Sequence, residues 1–471
     1  MQKDKRYPWP HLLWGLPMLM GGYFLGRHLL GKSVQKTLQR LMTDPYDENL
    51  WELISALQRI SPQMVLETNL RAQTGKSIQR PLGSPKRFPS FDDLMFSHGQ
   101  LENIPCPGDK AIDLSTVIGK KAAKPLRLSL PIIISGMAYG IALSEPLRLA
   151  IARAAALAGT AANTGEGPLL PKERQIAKFL ILQYNRSSWN KSPDILGQAD
   201  MLELQIGQGA LGGAAHVLYP QEISPKLRKR LGLKKGEPAV AHSRIPGINS
   251  GEDLIRTVKK LRKMVEGIPI GVKIGAGHQL EKDLDWCLKA DVDAIAIDGA
   301  EAATKAAPPI LQDDFGIPAV YALARAVNHL ERNRARSEVD LLISGSLQTP
   351  GHFLKALALG ADAVYIGSIA LMATTHTQSL KPLPFEPPTQ IAWERGKYKK
   401  SFHAEKGAQS LYNFLASCAD EMKIALRTMG KSSLKELDKK DLVSLSREMS
   451  EILELEPAYE APGDLKKPPG R

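Results

Sequence analysis

The chain has 471 residues, of which 43% are hydrophobic and 24% are charged. This composition is typical of globular proteins and excludes the fibrous and largely disordered classes, and the length predicts one large domain with appended segments, or two domains. The net charge of +13 suits nucleic acid, an anionic membrane or an acidic ligand, but the basic residues are scattered and no nucleic-acid-binding motif accompanies them, so nucleic acid is not an expected partner.

An apolar run near the N-terminus, residues 8–26, predicts a membrane anchor. It reads PWPHLLWGLPMLMGGYFLG, barely reaches the ~17–25 apolar residues that span a bilayer, and carries aromatic residues suited to the interface. No cleavage pattern follows, which favours a retained anchor over a signal peptide. Pro10 and Pro17 interrupt the run, so an apolar helix docked on the protein's own core stays open. We expect residues 1–32 to hold the protein at the cytoplasmic membrane, with the remainder facing a reducing cytoplasm.

The following segment, residues 33–124, is predicted to be a helical neck and a wrapping segment. Apolar residues recur at helical spacing up to about Gly75, as in Leu50, Leu53 and Leu57. Polar, proline-containing sequence follows and indicates an extended, irregular path.

Residues 125–376 predict an α/β fold. Short β-rich apolar runs alternate there with helix-like stretches, the pattern of a parallel sheet. Eight runs over roughly 240 residues match a (β/α)8 TIM barrel, which takes about 250. The long connection after the fourth run, residues 207–267, predicts an insertion over the barrel mouth. The predicted strands are Pro131–Ile134, Thr160–Asn163, Leu180–Tyr184, Met201–Ile206, Ile270–Ile274, Ala294–Ile297, Leu341–Ser344 and Ala363–Ile366.

The last segment, residues 377–471, predicts a C-terminal helical extension. A proline-rich stretch, LKPLPFEPP, precedes sequence that is helical in pattern from about Gln409 to Leu453. The polar tail DLKKPPGR is expected to be disordered.

Two glycine-bearing loops and a lysine predict a phosphorylated cofactor. Barrel active sites lie at the carboxyl ends of the strands, and the loops after strands seven and eight usually hold phosphate. These loops read Ser344-Gly345-Ser346 and Gly367-Ser368. Lys273 interrupts the apolar fifth run, where a buried cation needs a partner and suits the electron-rich pyrimidine edge of a reduced flavin. The combination predicts FMN.

Small and polar residues at the ends of the other runs predict the rest of the site. The stretch 135–138 lets a flat ligand approach the backbone, although glycine there more often marks a tight turn. Glu166, between two glycines in a mouth loop, is a candidate acid/base, a substrate-amine ligand or a solvated acid. Glu203 and Gln205 share one strand face. If that face is the barrel interior, a ligand or a polar layer sealed by salt bridges must satisfy both side chains.

Six segments resemble the FMN-binding domain of the glutamate synthase large subunit over roughly residues 125–375: SGMAYG, NTGEG, LELQIGQGA, VKIGAG, SGSLQTPG and LGADAVYIG. The resemblance implies an FMN-dependent oxidoreductase that acts on the C–N bond of an amino acid, amine or imine. Catalytic roles fall to Glu166, as the proton shuttle, and to Lys273, which would stabilise the anionic flavin. Glu166 and Gln208 would face the substrate. The residues assigned to FMN are Ser135, Gly136, Met137, Ala138, Asn163, Gln183, Gln205, Lys273, Gly345, Ser346, Gly367 and Ser368.

Several departures from that family shape the expected activity. The stretch after the last strand reads ALMATTHTQSLKPLP and lacks the three clustered cysteines of an iron–sulfur centre, and Cys106, Cys287 and Cys418 are too far apart for any metal site. No glutaminase domain with an N-terminal nucleophilic cysteine is expected either. Gln205 stands where the family has a lysine, and GAEAATK, residues 299–305, replaces its GGTGA loop. We therefore expect a separate electron-transfer partner and leave the substrate open.

Two other functions remain open from the sequence. One is a non-catalytic, membrane-tethered flavoprotein that acts as a scaffold or sensor. The other is a barrel of the inosine-monophosphate dehydrogenase kind, which needs a cysteine in a mouth loop, where none is predicted here. Self-association into a homo-oligomer is also left open.

Overall fold

The computed structural model describes residues 12–302 and 307–461, and the chain divides into two compact units between residues 78 and 79. The first unit contains the helices α1 (Leu12–Thr43), α2 (Trp51–Arg59) and α3 (Pro62–Thr74). Ser61 caps α3 by accepting a hydrogen bond from the backbone N–H of Met64. Gly75, in the left-handed conformation, ends that helix.

The apolar run predicted as a membrane anchor, residues 8–26, begins outside the described residues and continues into α1. Among the helices that the structure describes, none has an apolar stretch of the length needed to cross a bilayer. The structure gives the predicted transmembrane anchor no support.

The second unit, residues 79–471, holds the remaining elements. Its strands are β1 (Leu94–Phe96), β2 (Thr116–Ile118), β3 (Leu126–Leu128), β4 (Ile132–Ile134), β5 (Ala161–Asn163), β6 (Phe179–Tyr184), β7 (Met201–Gln205), β8 (His216–Leu218), β9 (Ala239–Ala241), β10 (Ile270–Gly275), β11 (Ala294–Asp298), β12 (Asp340–Ser344), β13 (Ala363–Ile366), β14 (Leu442–Ser444) and β15 (Glu456–Pro457). Its helices are α4 (Glu145–Leu157), α5 (Pro171–Ile176), α6 (Pro193–Leu196), α7 (Pro225–Leu231), α8 (Gly251–Met264), α9 (Leu280–Lys289), α10 (Pro309–Asp313), α11 (Ala319–Arg332), α12 (Pro350–Ala358), α13 (Ser368–Thr375), α14 (Ala404–Thr428) and α15 (Arg447–Leu453).

Eight parallel strands, β4 to β7 and β10 to β13, close into a barrel in chain order, with β13 pairing β4. Each of the eight predicted strand runs coincides with one of them to within a residue, so the TIM-barrel prediction is confirmed. The strands are apolar along their length because helices cover their outer face and side chains fill the interior. The register sets Lys273 on β10 beside Gln205 on β7.

A hairpin from the wrapping segment closes the amino-terminal end of the barrel. Strands β2 and β3 pair antiparallel and pack Ile118, Leu126 and Leu128 against the lower interior layer. The ammonium of Lys120 pairs with Asp340 and Asp362, which lie where β12 and β13 begin. With this end sealed, access to the interior comes from the carboxyl ends of the strands.

The C-terminal extension is not helical throughout the predicted range of residues 409–453. Helix α14 packs on α4 but ends at Thr428. Gly430 follows with a φ of 79°, and a Cβ there would lie 2.5 Å from the carbonyl oxygen of Ile104. The chain then forms β14, which pairs antiparallel with β1 from the distant wrapping segment. The polar tail predicted to be disordered lies outside the described residues.

Candidate functional site

A cavity of about 1230 Å³ lies at the carboxyl ends of the barrel strands. Most of the predicted site residues line it: Ser135, Gly136, Met137, Ala138, Glu166, Gln183, Gln208, Lys273, Gly345, Ser346, Gly367 and Ser368. Asn163 and Gln205 are fully buried and contact residues around the cavity instead. The Gln205 side-chain amide donates to the side-chain oxygen of Gln208 at 2.7 Å.

Two segments outside the barrel strands supply further walls. The insertion after β7 contributes His216–Tyr219 and Glu222, while the wrapping segment contributes residues between Gln79 and Asp93. Trp393 and Arg395, which follow the barrel, complete that side. The cavity is therefore deeper than a bare barrel mouth, because three distant parts of the chain fold over it.

The loops after β12 and β13 both line the cavity. Gly345 and Ser346 both have positive φ, 141° and 51°, which turns the backbone sharply after β12. Helix α13 begins at Ser368, directly after β13. Within the described residues, the backbone N–H groups of Ser346 and Ser368 have no acceptor. Unpaired amides at a helix N-terminus favour a phosphate group.

The glycines of the loops after β4 and β5 let these two loops pack against each other. A Cβ on Gly165, whose φ is 63°, would lie 2.8 Å from the backbone nitrogens of Met137 and Ala138. A Cβ on Gly167 would lie 2.6 Å from the backbone nitrogen of Tyr139. Loop–loop contact therefore requires these glycines, whatever ligand is bound.

Lys273 forms a buried ion pair at the end of β10. Its Nζ lies 3.0 Å from Oδ1 of Asp298, at the end of β11, and 5.3 Å from the centroid of the Tyr365 ring. Burial lowers the pKa of Lys273, but Asp298 and Glu203 outweigh it, so the pKa lies above its ordinary value. Burial raises the pKa of Asp298, against the effect of Lys273. The cavity therefore contains a permanent cation with its own counter-ion.

Glu203 lies inside the barrel in a hydrogen-bonded network. The side-chain amides of Asn163 and Gln183 donate to Oε1 at 2.8 and 2.9 Å, and the Tyr365 hydroxyl donates to Oε2 at 2.7 Å. A polar layer therefore surrounds Glu203, but neutral hydrogen-bond donors close it and not the salt bridges that the sequence suggested. Gln205 differs, because its side-chain oxygen is buried without a partner among the described residues.

Residues of the loop after β6 hold Glu166 in place through hydrogen bonds. Arg186 is fully buried and donates from Nη2 to Oε1 of Glu166 at 3.2 Å. Asn185 and Trp189 both donate from their side chains to the carbonyl oxygen of Glu166, at 3.0 and 2.7 Å. On the other side, Nε2 of His216 lies 3.7 Å from Oε2 of the same carboxylate. Glu166 is thus part of a buried Arg–Glu–His group.

His216 lies on β8, which pairs antiparallel with β9 to form a hairpin in the insertion, called here the insertion hairpin. Burial lowers the pKa of His216, Glu166 raises it and Arg186 lowers it, and the result lies below the ordinary value of 6.5. The imidazole is therefore neutral at pH 7.

Sequence reasoning missed four residues of this site: Asp298, Tyr365, Arg186 and His216. Asp298 carried a signal, since it is an acid that closes an apolar strand run at the barrel mouth. Tyr365 reads as an ordinary β-forming residue, and only the interior position of its hydroxyl gives it a role. Arg186 and His216 stand in irregular sequence, and only folding brings them to Glu166.

The three cysteines occupy separate places in the fold: Cys106 in the wrapping segment, Cys287 on α9 and Cys418 on α14. In the part of the chain that the structure describes, His, Cys, Asp and Glu residues form no group of three or more that could hold a metal ion.

The residues around the cavity fit FMN. The unpaired amides of Ser346 and Ser368 suit its phosphate, and the buried cation of Lys273 suits a ring edge that gains negative charge. One phosphate cradle of this kind matches a mononucleotide.

Comparisons with known proteins agree with this assignment. A family model described as a conserved region in glutamate synthase matches residues 93–432. A glutamate synthase large subunit-like protein of Rhizobium meliloti is 31% identical over 408 residues, covering 83% of this chain and 92% of that protein. An archaeal-type glutamate synthase [NADPH] of Dehalococcoides mccartyi is 30% identical over 422 residues, covering 85% and 84%.

A solved structure shows the same fold. An active chimera of (S)-mandelate dehydrogenase superposes with a TM-score of 0.50 at 18% identity, covering 75% of this chain and 88% of that one. At this identity the likeness concerns the barrel alone. The family model and the two sequence relatives carry the assignment further: the chain belongs to the glutamate synthase family, and FMN is the cofactor of its barrel.

Proposed function

We propose that this protein is an FMN-dependent oxidoreductase that acts on the C–N bond of an amino acid, amine or imine. One observation carries the proposal: a single cavity joins an amide cradle for phosphate, a buried Lys273–Asp298 pair and the carboxylate of Glu166. These three features come from different strands and share no structural need for one another. Their meeting in one space favours a cofactor site with a substrate site beside it.

The names of the relatives support a glutamate synthase-like reaction. The Dehalococcoides protein is a glutamate synthase that its name links to NADPH. We propose that the barrel works without an iron–sulfur cluster, because the stretch after β13 lacks clustered cysteines. Electrons would then pass between the barrel and a separate partner protein.

Different residues of the site would bind the cofactor and contact the substrate. When bound, FMN supplies the two-electron acceptor or donor for the substrate carbon. Ser346 and Ser368 would hold its phosphate, and Lys273 would stabilise negative charge on its ring. Glu166 and Gln208 would face the substrate, where a carboxylate and an amide suit an amine or imine nitrogen. The insertion and the wrapping segment would exclude water from the reacting groups.

The visible spectrum and the released cofactor test this proposal. We expect purified protein to release FMN, identified by mass spectrometry, and to bleach anaerobically with glutamate or another amine. Release of FAD, or of no flavin after reconstitution, would contradict the cofactor assignment. Two negative results together would favour a scaffold or sensor. Glutamate and amines would fail to reduce the bound flavin, and ammonia with 2-oxoglutarate would fail to oxidise the reduced flavin.

A charge variant at the phosphate cradle sharpens that test. Ser368→Glu places a carboxylate at the first position of α13, where it suits the helix but repels a phosphate. We expect flavin content to fall at least about tenfold, which corresponds to 1.4 kcal/mol. Ser417→Glu, on the exposed face of α14, is the matched control and should keep its flavin.

A further inference from the structure

We propose that His216 is the residue that exchanges protons with the substrate, and that Glu166 is a positioning residue that orients it. This inference rests on the proposed function of the same cavity. It assigns to the insertion hairpin a chemical role and gives Arg186 a reason to be buried beside Glu166.

The protein already holds the Glu166 side chain from several sides. One carboxylate oxygen accepts from the buried guanidinium of Arg186 and the other faces the imidazole of His216. Nη1 of Arg186 donates in turn to the carbonyl oxygen of Ala214, at the foot of the same hairpin. A carboxylate held this firmly is suited to orienting a neighbour, as the third member of catalytic triads does.

His216 has the complementary arrangement. Its ring lines the cavity, and its side chain is 14% exposed. Nε2 lies 3.7 Å from Glu166, a separation that binding can shorten into a hydrogen bond. Nδ1 is buried and has no partner in the described part of the chain. A buried unpaired ring nitrogen costs free energy, and once the hairpin shifts to admit a substrate, a substrate N–H would supply the missing bond.

The charge state of His216 suits a base. The charged groups that act on it belong to the two loops packed against its hairpin: Glu166 after β5 and Arg186 after β6. Burial is the largest effect, and the ring is neutral at neutral pH. Neutral imidazole can accept a proton at the pH at which the enzyme would work.

The proposed step is a proton transfer. Neutral His216 takes one proton from a substrate ammonium group, becomes imidazolium, and leaves the amine lone pair on nitrogen. That lone pair is then free to form the second C–N bond, and FMN, when bound, would supply the two-electron oxidant that accepts a hydride, two electrons and one proton, from the substrate carbon. The organic product is an iminium ion, and the proton on His216 then leaves to water.

An NMR titration of the histidines tests the pairing of His216 with Glu166 without any substrate. In protein labelled at its histidines, the Glu166→Gln variant loses the carboxylate that raises the pKa of His216 and keeps Arg186, which lowers it. We expect the pKa of His216 to fall further below its ordinary value, because the carboxylate that raises it is gone. An unchanged pKa in a variant that keeps its FMN would overturn the pairing.

The dependence of the reaction rate on pH tests the role of His216 as the proton acceptor. With glutamate or any amine that bleaches the flavin, the parent rate should rise with pH through the pKa of His216 and then level. His216→Asn should be slower by about 10²–10⁴-fold and lose that rise. Glu166→Gln should keep the rise but shift it to lower pH. His242→Asn, on the exposed side of the same hairpin, should match the parent.

The outcomes separate this inference from the proposed function. A pH rise that survives in His216→Asn but disappears in Glu166→Gln would make Glu166 the proton carrier and overturn the inference while leaving the C–N oxidoreductase intact. If no amine bleaches the flavin, the proposed function fails, and the NMR titration still decides whether His216 and Glu166 form a pair.

Discussion

At the scale of single residues, the barrel interior is organised by one buried acid. Glu203 is fully buried, and its two carboxylate oxygens accept hydrogen bonds from three neutral donors, Asn163, Gln183 and Tyr365. Burial of an ionisable group without such donors would cost several kcal/mol. The network therefore stabilises the upper interior layer and fixes Gln183, which also lines the cavity.

Removing one donor should expose the cost of an unsatisfied carboxylate. Tyr365→Phe keeps the ring and takes the hydroxyl from Oε2 of Glu203, so we expect the free energy of unfolding to fall by about 1–3 kcal/mol. Urea unfolding measures this change. Tyr321→Phe, which removes an exposed hydroxyl from Glu448 at 3.2 Å, is the matched control and should lose less than about 1 kcal/mol. Equal losses would contradict a special role for the buried hydroxyl.

At the scale of elements, the mouth is built from loops that support one another. The loop after β6 holds the loop after β5 through Asn185 and Trp189, and the loop after β5 packs against the one after β4 through Gly165. Each loop alone is short and irregular. Their order comes from contacts between loops, so a change in one should displace the groups on the next.

A methyl group at Gly165 should disturb this packing. Gly165→Ala pays for a positive φ and also places a Cβ 2.8 Å from backbone atoms, which cannot yield as a side chain would. Gly232→Ala, in the left-handed conformation with a φ of 69°, carries the cost of a positive φ alone, since nothing lies within 4 Å of its Cβ position. We expect Gly165→Ala to lose about 1–3 kcal/mol more in urea unfolding, the usual cost of overpacking. A similar loss in both variants would mean that the loops adjust freely.

At the scale of the whole molecule, the barrel and the segments that complete it form one unit, residues 79–471. The hairpin β2–β3 closes its lower end, and the insertion and the wrapping segment line its cavity. Among the residues whose burial the structure describes, the hydrophobic core begins at Phe91, and α2 and α3 of the first unit contain no buried residue. The catalytic unit should therefore not depend on residues 1–78 for its fold.

Deletion of residues 1–78 tests this division together with localisation. We expect the shortened protein to keep its FMN and to melt within about 1 °C of the parent, less than about 1 kcal/mol for a unit of this size. We also propose that the N-terminal segment holds the protein at the cytoplasmic membrane, so fractionation should find the parent with membranes and the shortened form in the supernatant. Loss of flavin would contradict the division, and unchanged membrane association would contradict the proposed tether.

The amino-acid sequence by itself determined the barrel, its eight strands and the identity of the cofactor. Strand runs and the loops after them are local signals, because apolar periodicity and glycine placement act over a few residues. The seventh and eighth loops, Lys273 and Glu166 could therefore be found without coordinates.

The tertiary structure alone decided which groups meet in the cavity. Arg186 and His216 come from a loop and an insertion with no periodic pattern, and they reach Glu166 through contacts distant in the chain. The break after Thr428 has the same origin, since β14 forms on β1, more than three hundred residues earlier. Local propensity cannot encode such pairings, because the free energy that favours them arises only when the two segments are already side by side.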